Sequence, residues 1–340
     1  MKFLDSLRRS PSPAVVLPPL HMPIRSCDHF TSAPLDPIPL GVDTATDDTL
    51  HWDPSGPGDH LLIVNTTGGG GTAAARNVVE QCRTRGWQVI AADGKYDLYG
   101  LDSAANISFL GRPGDGFADP AWAQCMAAVV IAHRLFTARS AAARRGERVP
   151  NSPVLLVLTE FGGMVQQWHN QLPNHDVREL LDLIDEVRRG GGAVRCHVLM
   201  LPGSGHRWQA PRGWGRLCTQ MFLGDLCARD AVPYTDTPVL KMGRGQRAGR
   251  GALVVPGEDG GRIRAIRGFY TYAPGSKLDG DGRTTGVAEQ WEAFKAAVSD
   301  TTPALHPRLR LDPIAAGFPD IAACLWSELR RLPLATVPVS

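Results

Sequence analysis

The residues best placed to do chemistry lie between 65 and 73: Asn65, Thr66, Thr67, Gly68, Gly69, Gly70, Gly71, Thr72 and Ala73. An apolar run, 61–64, precedes them and an alanine-rich stretch follows, so they form a glycine loop between a buried strand and a helix. Such a loop exposes backbone N–H groups beside the positive end of a helix, an arrangement that cradles phosphate. The phosphate-loop pattern is glycine, four residues, glycine, lysine, then serine or threonine. Here those places are taken by Asn65, Gly70, Gly71 and Thr72. The second glycine and the hydroxyl are present; the first glycine and the lysine are not. A tight strand-to-helix turn without a ligand accounts equally well for four glycines taken alone.

Other groups extend the chemistry. Lys95, in Asp93-Gly94-Lys95 after the next apolar run, is either a solvated loop lysine or a point charge near the phosphate site. Glu160 follows the apolar run 154–158 and is either a catalytic acid or a relic at a strand end. Residues 241–250 carry four cations and three glycines. Lys241, Arg244, Arg247 and Arg250 could touch nucleic-acid phosphates without reading sequence, or form a solvated turn. His206, Arg207, Trp208, Arg212 and Trp214 offer either a basic-aromatic surface or buried tryptophans. Neither the histidines nor the seven cysteines have metal-ligand spacing.

The elements that must position these groups alternate. Strands are expected at 61–64, 87–92, 154–158 and 194–201, and helices at 72–85, 121–145 and 176–189. That alternation predicts a mostly parallel sheet covered on both faces. Residues 38–52 read as a β-hairpin. Shorter strands are expected at 221–223, 252–255 and 263–269, and helices at 287–298 and 321–329. Residues 1–37 form a proline-rich arm. The 340 residues hold 37 Gly and 27 Pro, with 36 Lys+Arg against 34 Asp+Glu, so a DNA-binding surface would have to be local. Scattered cysteines, no signal-peptide core and no apolar run approaching about 18 residues point to a cytoplasmic protein without a membrane span.

Taken in order, these pieces resemble the FtsK/SpoIIIE branch of P-loop ATPases, hexameric motors that pump double-stranded DNA, with plasmid-transfer and secretion relatives. Ile38-Pro-Leu-Gly-Val-Asp43 is similar to the family's strand ahead of the loop. His60-Leu-Leu-Ile-Val followed by Thr66-Thr67-Gly68 matches its HLLVAG-TTG, and Arg76-Asn77 its helical RN. Asp93-Gly94-Lys95 stands where the family has Asp-Pro-Lys, and Thr159-Glu160-Phe161 where it has Asp-Glu-Phe. Arg188-Arg189 and 263–269 are similar to its RRG and VQGAF.

The resemblance implies a RecA-like, three-layer α/β/α P-loop domain over 38–273 and a C-terminal helical extension over 274–340. It implies ATP on 66–73 and Lys95, Thr72 as the metal-side hydroxyl, Glu160 as the water-polarising acid, and a homo-oligomeric ring on double-stranded DNA. Gly71 in place of lysine and Thr159 in place of aspartate remove two charges that phosphoryl transfer needs, and leave Mg²⁺ without its usual carboxylate. No clear counterpart of the family's γ-phosphate-sensing glutamine follows the fourth strand, at 201–204. The expectation is a degenerate ATPase whose nucleotide affinity depends little on Mg²⁺, and whose loop would accept lysine at 71. The alternatives are an active, divergent translocase, and a structural partner of an active ATPase that keeps only the oligomerising fold.

Overall fold

In the computed structural model the described residues are 36–95, 97–111, 119–203, 214–226, 248–256, 262–269, 271, 292 and 295–337. They build a ten-stranded sheet with helices on both faces. In chain order its strands are β1 (Ile38–Asp43), β2 (Thr49–Trp52), β3 (His60–Asn65), β4 (Gln88–Asp93), β5 (Ile107–Leu110), β6 (Val154–Thr159), β7 (Cys196–Met200), β8 (Cys218–Leu223), β9 (Arg250–Val255) and β10 (Arg262–Gly268). The helices are α1 (Gly71–Thr84), α2 (Asp119–Arg144), α3 (Phe161–Gln171) and α4 (Asn174–Gly190).

The spatial order is β2-β1-β10-β9-β8-β3-β7-β6-β4-β5. The six strands from β8 to β5 run parallel, and β9, β10, β1 and β2 continue the sheet antiparallel. The four central strands expected from the sequence are therefore neighbours in one sheet, and the 38–52 hairpin is its far edge.

These strands read as unbroken apolar runs because both of their faces are covered. Alternate residues serve opposite cores. Leu62, Val64, Ile90, Leu156 and Leu158 join the core under α2, α3 and α4. Leu61, Ile63, Val89, Leu155 and Val157 join the core under α1. Every residue from Cys125 to Ala132 of α2 is buried, which explains a helix apolar all round rather than striped.

Three features depart from the sequence reading. β5 extends the parallel block by one strand. α3 begins Phe161-Gly162-Gly163, a poor helix start by propensity, and is set by burial of Phe161, Met164 and Val165. The C-terminal part contains only short helical turns among the described residues, including α5 (Trp326–Leu329), and an antiparallel pair, β11 (Arg308–Leu311) with β12 (Leu334–Val337). Leu309, Leu311, Trp326 and Leu329 of this part join the α2 core. Most of the helix expected at 287–298 lies outside the described residues.

Candidate functional site

The carboxyl ends of β3, β4, β6 and β7 open on one edge of the sheet, where open α/β folds bind ligands. A cleft of about 400 Å³ lies there. Thr67, Gly68, Gly70, Gly71, Thr72, Ala73, Lys95 and Glu160 line it, joined by Asn65, Arg76, Asp97, Leu201, Gly203 and Thr271. The structure thus brings together residues from five separate segments, those after β3, β4, β6, β7 and β10.

The glycine loop is shaped by close backbone contacts. Gly68 and Gly70 hold φ of 73° and 95°, in the left-handed region that favours glycine. A Cβ at Gly70 would lie 2.8 Å from the amide of Gly249, whereas one at Gly68 would meet nothing within 4 Å. Thr66 and Gly69 back the loop rather than line the cleft. The Thr66 amide donates to Leu223 O at 3.2 Å, and the Gly69 amide to Thr66 O at 2.8 Å. α1 has no side-chain cap and no acidic residue in its first turn. Its N-terminal amides, those of Thr72 and Ala73 among them, therefore suit an anion.

At each of the two missing charges a neutral residue is coupled to a neighbouring side chain. A Cβ at Gly71 would lie 2.2 Å from Asn65 Oδ1 and 2.4 Å from Asn65 Cγ. The side chain at the first pattern position fills the space where the lysine stem would start. The expectation that this loop accepts lysine at 71 is thereby corrected. At the other position, the Thr159 hydroxyl donates to Asp93 Oδ1 at 2.8 Å, fully buried. Asp93 also accepts from the amides of Lys95, Asp97 and Leu98 at 3.3, 3.0 and 2.7 Å. It is a saturated carboxylate that ties β4, β6 and the 94–98 turn together.

Thr159→Asp should therefore destabilise rather than simply restore a ligand. It would set two buried carboxylates side by side, and one of them would hold a proton. A carboxyl raised in the folded state leaves stability intact below its ordinary pKa near 4 and subtracts from it above the raised value. Urea unfolding should show a loss of roughly 3 kcal/mol or more at pH 8, smaller at pH 5. Equal stability of variant and parent at pH 8 would contradict this.

Glu160 caps α3 from the left-handed region, φ 50° and ψ 38°, a strained position for a residue with a side chain and one that clusters at functional sites. It is buried, and Lys95 Nζ donates to its Oε2 at 3.5 Å. The segment after β7, where the family carries its sensing glutamine, instead clamps α3. Leu201 O and Pro202 O accept from the amides of Phe161 and Gly162, both at 2.9 Å. Gly203 makes room for the glutamate, since a Cβ there would stand 2.1 Å from Glu160 Oε1.

Sequence reasoning passed over Asp97. Its Oδ1 accepts from the Thr72 hydroxyl at 3.4 Å. Burial, with Asp93 and Glu160 close by, raises its carboxyl to about 6, against the pull of Lys95 and Thr72. Among the described residues, Asp97 Oδ2 and Thr271 Oγ1 are both buried without a hydrogen-bond partner while lining the cleft. Such orphans belong where a ligand completes the bonding. The spacing Asp93-Gly-Lys-Tyr-Asp97 was the only available signal.

Of the basic loop, Lys241, Arg244 and Arg247 lie outside the described residues, as do His206, Arg207, Trp208 and Arg212; Trp214 is buried. Arg250 opens β9. Just before it, the Gly249 amide donates to Gly69 O at 2.8 Å, so this end of the basic stretch rests on the glycine loop.

No family model matches the sequence, and no curated protein matches it. Solved structures do. ATPases 2 and 3 of EccC from Thermomonospora curvata, in complex with a signal sequence peptide, superpose with a TM-score of 0.57 at 17% identity, over 88% of this chain and 55% of that one. ATPases 2 and 3 of EssC from Geobacillus thermodenitrificans give 0.56 at 11% identity, over 85% and 53%. The pCW3 conjugation coupling protein TcpA, a monomer form with ATPγS, gives 0.51 at 11%, over 75% and 70%. Against the whole cytoplasmic domain of the T. curvata type VII secretion ATPase EccC, the match covers 31% of that chain. The chain thus spans about a third to a half of the length of these EccC and EssC chains. At such identities the likeness is one of fold: the RecA-like, three-layer α/β/α arrangement expected from the motif order is shared with these ATPases. No helix among the described residues is long and apolar enough to cross a membrane.

Proposed function

We propose that this chain is a nucleotide-binding subunit of an FtsK/SpoIIIE-like translocation machine that holds ATP and turns it over at or near background. The observation that carries the reading is the pair of neutral substitutions at the charged positions. Asn65 fills the lysine's space at Gly71, and Thr159 spends its hydroxyl on Asp93. Phosphoryl transfer is positioning plus charge neutralisation, and loss of both groups costs several orders of magnitude in rate. The residues present still fit a phosphate chain, through the uncapped start of α1, the open face of Gly68, Lys95, and the orphaned Thr271 hydroxyl. ATP would supply a ligand that orders these loops. A homo-oligomeric ring, a place beside an active ATPase in the cytoplasm, and contact with double-stranded DNA through Lys241, Arg244, Arg247 and Arg250 belong to the same proposal.

One observation favours an active, divergent motor instead. Lys95 reaches Glu160 in the same cleft, so a cation and the acid survive side by side. Nucleotide binding and steady-state phosphate release, measured with and without duplex DNA, separate the readings. The expected result is binding of a fluorescent ATP analogue and phosphate release indistinguishable from buffer. Robust release that disappears in Glu160→Gln would establish the motor. Absence of binding would leave only a structural subunit.

A further inference from the structure

The sequence left Mg²⁺ without a carboxylate, because the residue at the expected aspartate is Thr159. We propose that Asp97 supplies that carboxylate: with the Thr72 hydroxyl it forms a divalent-cation site at the base of the nucleotide cleft. The inference rests on the nucleotide reading above and concerns which residues of this chain serve the ion.

The geometry is specific. Mg²⁺ binds oxygens at about 2.1 Å in an octahedron, keeps several waters, and usually takes one or two protein oxygens besides substrate phosphates. Neighbouring ligands of such an ion lie roughly 3 Å apart. Thr72 Oγ1 and Asp97 Oδ1 are 3.4 Å apart, close to that spacing. Thr72 sits in the first turn of α1 at the hydroxyl position of the loop pattern, so an ion there would also meet the phosphates cradled by Gly68–Thr72. Asp97 Oδ2 is buried and has no hydrogen-bond partner among the described residues, so an ion would give this oxygen a partner without breaking an existing bond. The carboxylates nearby are otherwise engaged: Asp93 accepts four hydrogen bonds, and Glu160 takes the Lys95 ammonium. Among the described residues no three His, Cys, Asp or Glu side chains converge on a point. A site of one carboxylate, one hydroxyl and phosphate oxygens is the kind Mg²⁺ accepts without a dedicated protein cage.

The inference reverses the sequence-based expectation that nucleotide affinity is nearly independent of Mg²⁺. The test is titration of a fluorescent ATP analogue in Mg²⁺ and in EDTA, for the parent, Asp97→Asn, Thr72→Val and the double variant. Asn is isosteric and removes only the charge. The parent should bind about 10- to 100-fold more tightly in Mg²⁺, the loss that even outer partners of a metal site cause when removed. Asp97→Asn should abolish that gain and leave binding in EDTA unchanged or tighter, since a negative charge leaves the phosphate site. Thr72→Val should lose most of the gain, and the double variant no more than Asp97→Asn alone. Mn²⁺ electron paramagnetic resonance gives a readout independent of affinity. With ATP present the parent should show protein-bound Mn²⁺, and Asp97→Asn the spectrum of free Mn·ATP. Nucleotide binding that ignores Mg²⁺, or a Mg²⁺ gain that survives Asp97→Asn, overturns the cation site while the nucleotide reading stands. A parent that binds no nucleotide under either condition overturns both.

Discussion

Gly71→Lys alone should bind nucleotide no better than the parent, whereas Asn65→Gly with Gly71→Lys should bind it about 10- to 100-fold more tightly, the worth of a charge-assisted hydrogen bond to phosphate. The reason is steric and local. A Cβ at Gly71 would stand 3.0 Å from Asn65 Cβ as well as 2.2 Å from its Oδ1, so rotating the amide away still leaves a contact that is too tight by a few tenths of an ångström. Asn65 is further held by its Nδ2 donating to Thr66 O at 2.8 Å. Lysine at 71 must therefore push the end of β3 or the start of α1, at the roughly 1–3 kcal/mol typical of overpacking. Removing the Asn65 side chain restores the glycine of the phosphate-loop pattern and opens the path for the lysine stem. Thermal unfolding and analogue titration of both singles and the double check this. Tight binding by Gly71→Lys on its own, with unchanged stability, would show that Asn65 yields freely and that the two positions are not coupled.

The coupling of positions 65 and 71 shows where sequence reading stops. Both departures from the loop pattern were legible separately; that one fills the space left by the other needed the loop's closure onto itself. The four central strands were legible because burial on both faces leaves an unbroken apolar run, as in Val154–Leu158, and its short length between turn signals separates it from a long buried helix such as α2. α3 was not, because it starts from a left-handed Glu160 and two glycines, and packing of Phe161 and Trp168 against α2's core outweighs that start. Asp97 was hidden for a topological reason. β4 is three places from β3 in the sheet, so the chain must cross roughly 14 Å at about 4.8 Å per strand to bring Asp97 to Thr72. The saturated Asp93 is what turns it that way, by holding the amides of 95, 97 and 98. Strand order of this kind has no short-range signature.

Acid should unfold this protein through two histidines at the opposite end of the same strands. His60 begins β3 inside the HLLIV run, and His197 lies on β7 beside it, their rings 6.2 Å apart. Both are neutral by construction. His60 Nδ1 accepts from the Val198 amide at 3.1 Å, which leaves Nε2 to donate to Arg188 O at 2.5 Å. His197 Nδ1 donates to Asp59 O at 2.7 Å, and its ring is packed by Trp52 and Trp87 at 6.0 and 5.4 Å. Burial lowers both, to about 3 for His60, with His197 and Arg188 beside it, and to about 4 for His197, with Arg195 and Arg139 nearby and Asp36 pulling the other way. A base lowered in the folded state keeps its full contribution above its ordinary pKa near 6.5 and loses it as pH falls. The unfolded chain takes up protons the folded one refuses. Each pH unit below 6.5 then costs about 1.4 kcal/mol per histidine, so roughly 5 kcal/mol disappears between pH 7.5 and 4.5. That is comparable with the whole stability of many domains. Asp97 works in the opposite sense, because a raised carboxyl gains stability on the way down from about 6. Its partial exposure keeps that offset below one histidine's share. Urea unfolding at intervals from pH 7.5 to 4.5 should show the parent weakening steeply. In His60→Gln/His197→Gln the slope should at least halve, whatever the substitutions cost at pH 7.5. A parent as stable at pH 4.5 as at 7.5 would mean that the pair admits protons, and so that the β3–β7 junction opens to solvent in the folded state.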